Sequence, residues 1–236
     1  YIRSKSTMNN NKAMQWLAQR GQIPKEGFVS ALSRPSKHYK KKHKIKNLNE
    51  VYQMLGTRKE YIYYWKQHPY STQTNKKHKY RVIRAASDLF GLTPNEEEHL
   101  ANQAGLSMKI DENFCAYFFQ NIIDKKPYKE IYERAQVSER MFRYIKEKRI
   151  PTKETLLALI ISLELKQEEM NQLLPKAGYV LSDSIVFDMV VKELMMQVET
   201  VQDYSNAIFH INHVLYDLEL PLLMTRKKKE LFLKKL

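Results

Sequence analysis

One cysteine in 236 residues, Cys115, excludes an internal disulfide framework and suits a reducing cytoplasm. No uninterrupted apolar run approaches the roughly 20 residues of a membrane-spanning helix, and no secretory pattern opens the chain. Also missing are a G-x-G-x-x-G turn, a P-loop, a C-x-x-C pair and any Ser-His-Asp spacing that supports a triad. Nothing therefore points to nucleotide, redox or nucleophilic chemistry, and the expectation is a non-enzyme without cofactor. His38 and His43 have no acid or cysteine spaced to complete a metal site, so no metal is expected. The acid pairs Glu96–Glu98 and Glu168–Glu169 read as helix starts, where carboxylates meet the positive end of the macrodipole.

Acid is what the first half of the chain lacks most. The formal charge is +14, but twenty Lys/Arg face seven Asp/Glu up to Gly105, and twenty face nineteen afterwards. So uneven a field calls for a polyanionic partner. The densest run, KHYKKKHKIK (37–46), reads as an arm or loop in which Lys37, Lys40, Lys41, Lys42 and Lys44 contact phosphate. Lys76, Lys77, Lys79 and Arg81, in the stretch 69–81, read as a second such loop.

Residues 127–151, PYKEIYERAQVSERMFRYIKEKRIP, read as two short helices joined by a tight turn near Gln136–Val137. Ile131, Ala135, Val137, Phe142 and Ile145 are the inward positions, and Ser138 is placed to cap the second helix. A copy lies eighty residues upstream, Val51–Gln67 aligning without a gap on Ile131–Glu147. After about seven extra residues in the first copy, the register resumes with Ala85 on Ala158, Leu92 on Leu165, Leu100 on Leu173 and Ala104–Gly105 on Ala177–Gly178.

Residues 112–178 resemble the lambda-repressor-like, XRE/Cro-type helix-turn-helix family through Val137–Ser138, the Phe142/Ile145 pair, Pro151 and the apolar run Leu156–Leu165. Tyr132 and Tyr52 depart from the small residue usual early in the motif, and Gln136 stands where a turn glycine is usual, although the first copy has Gly56. Leu174–Leu223 is similar to tails that follow such motifs in bacterial proteins. The resemblance implies a second helix lying in a major groove. Base contacts would then come from Arg58, Lys59, Glu60, Tyr63, Tyr64 and Gln67 in the first copy, and from Ser138, Glu139, Arg140, Arg143 and Tyr144 in the second. Lys146, Lys148 and Arg149 would meet phosphate. The first copy is the stronger reader on charge, since an outward acid such as Glu147 repels phosphate.

Around these copies the spacing predicts a helix over 10–20 ended by Gly21, a second after Pro24 closed by Pro35, and one over Glu112–Lys125. Apolar faces recur over 186–195 and 207–218, finishing the core or burying a second copy in a homodimer. The ending RKKKELFLKKL is basic and amphipathic. The expected fold is all-α. Residues 1–46 hold N-terminal helices and the arm, 47–107 and 108–182 the two helix-turn-helix units, and 183–236 a helical extension. The expected function is sequence-specific binding of double-stranded DNA by a cytoplasmic, nucleoid-associated bacterial regulator. The alternatives are a protein-interaction adaptor or inhibitor in a phage-defence or mobile-element system, and an RNA-binding protein that uses its tyrosines and lysines on single-stranded loops.

Overall fold

The computed structural model describes residues 5–67, 76–111, 113–123, 127–201, 204 and 206–234. The expected phosphate-contacting loop falls outside them over 69–75. Among the described residues every regular element is a helix, with no strand, and no helix is long and apolar enough to cross a membrane. It divides into two compact units, residues 1–108 with 180–189, and residues 109–179 with 190–236. The first carries twenty Lys/Arg against nine Asp/Glu, and the second twenty against seventeen.

The first unit contains α1 (Lys5–Ala18), α2 (Phe28–Lys42), α3 (Leu48–Met54), α4 (Lys59–Gln67), α5 (Lys76–Phe90) and α6 (Pro94–Gln103). Helix α2 packs against the four that follow it, with Leu32 and Ser36 fully buried on its inner side. It also corrects two expectations. Pro35 does not close it, and residues 37–42 are its last turns rather than an arm. Proline removes a single backbone donor, while on either side Ser33 and Ser36 donate their hydroxyls to Val29 O (2.6 Å) and Leu32 O (2.8 Å). Tyr39 then anchors the basic end, its ring 5.7 Å from Phe90 and stacked 4.2 Å from His43. Lys40, Lys41 and Lys42 in the last turn suit the negative end of the helix dipole.

The second unit contains α7 (Phe114–Tyr117), running on as a π-helical turn (Phe118–Ile123), then α8 (Tyr128–Arg134), α9 (Glu139–Lys146), α10 (Lys153–Ser162) and α11 (Gln167–Lys176). Every residue of α10 is buried, and α8 and the later helix Ala207–Asp217 pack against it. The single regular helix expected over Glu112–Lys125 is corrected by the π turn. Widening the coil there buries Phe118 completely and still brings the adjacent Phe119 ring to 5.5 Å from Phe142 of α9.

The two copies share the backbone hydrogen bonds of their turns. At an offset of eighty, the amides of Leu55, Gly56 and Thr57 donate to Val51, Gln53 and Tyr52, and those of Ala135, Gln136 and Val137 to Ile131, Glu133 and Tyr132. At an offset of seventy-three, Leu92 N donates to Ser87 O as Leu165 N does to Ile160 O, and Thr93 N to Glu96 as Lys166 N does to Glu169. Both copies end on a left-handed glycine, Gly105 (φ 72°) and Gly178 (φ 76°). With six glycines in the chain, other helix ends use residues of higher cost in that region. Lys44, Gln136, Lys148, Glu164 and Glu219 all have φ between 52° and 67°.

Two long helices follow, α12 (Val186–Val201) and α13 (Ala207–Asp217), and then α14 (Arg226–Leu233). The apolar positions expected on them, including Phe187, Val190, Leu194, Ile211 and Leu215, are buried within the chain itself. Asn212, fully buried on α13, fixes the segment before α14. It donates to Leu223 O (3.3 Å) and Ile208 O (2.9 Å) and accepts from Leu223 N (2.6 Å).

Candidate nucleic-acid interface

Helix α4 is held from one side. Ile62 and Trp65, three residues apart, are buried at 7% and 3% exposure, and Phe28 lies 5.6 Å from the indole. His78 of α5 braces the same region, its ring edge-on to Tyr61 (4.7 Å) and Trp65 (5.2 Å), with Nε2 3.2 Å from Gly56 O in the turn. Lys59, Glu60, Tyr63, Lys66 and Gln67 are left exposed on the remaining faces, with Arg58 just ahead of the helix. Tyr64 is half-buried. Of the three tyrosines here, Tyr63 projects furthest, at 61% exposure.

Beside α4 a groove of about 720 Å³ runs between α2, α3 and α4. Arg34, Lys37, Lys59 and Lys66 line it together with Asn47 and Asn49, and no Asp or Glu does. Arg34 is paired with Glu26 at 2.8 Å, so the lysines set its sign. Lys37 and Lys59, from separate stretches of the chain, thus share one concavity. Lys66 and Arg34 belong to it as well and were not singled out in the sequence; the signal was the helical spacing of Lys59 and Lys66.

Helix α9 repeats the arrangement with other side chains. Ser138 caps it, accepting from Met141 N at 3.3 Å, while Phe142 and Ile145 are buried. Glu139, Arg140, Arg143, Lys146, Glu147, Lys148 and Arg149 are exposed. Tyr144 is half-buried and organises the basic groups around it. Arg140 Nε donates to its hydroxyl at 2.7 Å, and the guanidinium carbons of Arg140 and Arg149 lie 5.3 and 5.4 Å from its ring centroid. Lys146 Nζ similarly sits 5.1 Å from the Tyr128 ring.

Four expected phosphate contacts lie on α5 rather than in a loop, because helix begins at Lys76. Lys77 and Arg81 are exposed and Lys76 half-buried over Tyr80. Lys79 is corrected. It is 3% exposed with Nζ 6.0 Å from the Trp65 ring, and so cannot reach a phosphate on the surface. On α2, Lys37, Lys41, Lys42 and, beyond its end, Lys44 are exposed, and Lys40 is half-buried. Glu98 is not a helix-start acid either. It accepts from Ser107 Oγ (3.0 Å) and Met108 N (2.9 Å), closing the end of α6. Among the described residues no three His, Cys, Asp or Glu gather as metal ligands.

No protein-family model matches the chain, and neither a curated protein nor a solved structure matches it.

Proposed function

We propose that the chain binds double-stranded DNA sequence-specifically, as a regulator of transcription, with α4 and α9 as the two reading helices. The observation that carries this is the shared construction of α4 and α9. Each follows the same left-handed turn, is anchored by one apolar pair, and leaves basic and hydrogen-bonding side chains outward. A helix so held fits a major groove, where arginine and lysine read guanine and an outward Glu60 or Glu139 accepts from a cytosine amine. The resemblance to XRE-type proteins supports the same reading. The excess of cations in the first unit supports α4 as the main source of affinity.

Selection of bound duplexes from a random pool, followed by anisotropy titration of the selected site against structured RNA as competitor, tests this. Arg58→Ala with Lys59→Ala, and separately Arg140→Ala with Arg143→Ala, should each weaken the selected site by about ten- to a hundredfold. Unchanged affinity in both double variants, or preference for RNA, overturns the reading.

A further inference from the structure

At the N-terminus of α2 a second recess, of about 130 Å³, opens between α2, α4, α5, α6 and the segment Ser184–Ile185. A single water needs only roughly 10–15 Å³. Helix α2 is fifteen residues long, and Gly27 at its N-cap supplies no side-chain oxygen, so no side chain caps the first turn, whose residues Phe28, Val29 and Ser30 line the recess. Trp65 lines it at 3% exposure, and its indole N–H has no acceptor. Gln103 lines it too. Its amide nitrogen is 3.3 Å from His99 Nε2, and its buried amide oxygen has no donor. Lys79, the buried lysine that the duplex reading does not use, Lys66, Ser30 and Ser184 are the other polar residues of the wall, to which no Asp or Glu contributes.

We infer that this recess binds a phosphate group, as inorganic phosphate or a small phosphomonoester. Helix-start amides, an indole N–H and a lysine are a donor set for oxyanion oxygens. The unanswered Gln103 oxygen requires one donor from the ligand. A hydrogen phosphate or protonated monoester supplies both kinds of group, with bare oxygens for the amides and Trp65 and an O–H for Gln103. Sulfate and a backbone phosphodiester carry no such proton near neutral pH, so each leaves Gln103 unanswered. The inference does not depend on duplex binding, since all its groups lie in the first unit and none of the outward side chains of α4 except Lys66 takes part.

The chain has two tryptophans, so Trp16→Phe leaves Trp65 as the reporter. Titration of that protein with inorganic phosphate, at ionic strength held constant with chloride, should give a saturable change in Trp65 emission. Sulfate and a short single-stranded oligothymidylate should bind about tenfold more weakly or not at all. Gln103→Leu should abolish the preference for phosphate over sulfate, and Lys79→Met should lower phosphate affinity by about tenfold. Gly27 has an ordinary φ of −85° and open space where a Cβ would stand. Gly27→Asp therefore supplies the missing cap without strain, keeps the fold, and should compete phosphate away by a similar factor. Absence of a saturable response in the Trp16→Phe protein overturns the inference. So does an undiminished response in Gly27→Asp, or a response to the oligonucleotide as strong as to phosphate.

Discussion

Gln136 in the second unit occupies the backbone position that Gly56 occupies in the first, both left-handed at φ 53° and 68°, each donating its amide to the carbonyl three residues back. Gln136 offsets part of the cost locally by donating its Nε2 to Glu133 O at 3.0 Å, and its own carbonyl accepts from Thr225 N at 3.2 Å. The turn is therefore demanded by the packing of the flanking helices rather than by the residue that makes it.

A pair of opposite substitutions follows from this. A Cβ at Gly56 would meet nothing within 4 Å, so Gly56→Ala isolates the left-handed penalty and should destabilise by about 1 kcal/mol. Gln136→Gly removes the same penalty but loses an exposed side-chain bond and loosens the unfolded chain. Its net effect should be a gain below about 1 kcal/mol. Urea midpoints that move in the same direction for both variants would show that the two turns are not equivalent.

Much of this construction was legible in the sequence because it rests on local periodicity. The eighty-residue offset, the inward pairs Ile62/Trp65 and Phe142/Ile145, the Ser138 cap and the terminal Gly178 all follow from spacing and side-chain chemistry. Three features were not legible, for separable reasons. Pro35 signals a stop, yet the helix runs through it, with Leu32 buried before it and Ser36 buried and hydrogen-bonded to Leu32 O just beyond it. Lys79 belongs to a basic run, yet its burial depends on Trp65, fourteen residues away in sequence. The recess at Gly27 draws on five separate stretches, and no pattern within any one of them announces it.

Helix α2 turns the lysine-rich run from an arm or loop into an ordered array, which sharpens what its removal should do. If Lys40, Lys41 and Lys42 neutralise DNA phosphates, replacing all three by Ala should weaken selected and unrelated duplexes alike. It should also flatten the slope of log affinity against log salt by up to about 2.7, at about 0.9 for each phosphate that is no longer neutralised. A weakening confined to the selected site would instead place these residues at base edges. Far-ultraviolet circular dichroism should stay unchanged, because Lys41 and Lys42 are exposed and Lys40 only half-buried.

The capping box of α6 gives a pH signature. Glu96 accepts from Thr93 N (2.8 Å) and Thr93 Oγ1 (2.7 Å), and these bonds hold its carboxyl below the ordinary value. A carboxylate with a lowered folded value contributes stability above its unfolded value and loses it as pH falls through the folded one. Glu96→Gln should therefore be less stable than the parent at neutral pH, and the gap should close on acidification below the ordinary carboxylate range. Denaturant midpoints followed from pH 7 downward measure it, and a gap independent of pH would remove the charge from the explanation.

Asn212 provides the strongest stability test, because both of its side-chain polar atoms satisfy the backbone of one distant residue. Its Oδ1 accepts Leu223 N and its Nδ2 donates to Leu223 O, all within the buried interior of the second unit. Asn212→Leu keeps the volume but leaves a buried N–H and a buried C=O without partners, each costing about 1–3 kcal/mol. The substitution should destabilise the protein by about 2–4 kcal/mol. Hydrogen exchange at the Leu223 amide should accelerate by a comparable factor, while amides in the first unit stay protected. Faster exchange across the first unit to the same extent would mean that Asn212 acts on global stability and not on the Pro221–Leu223 segment it touches.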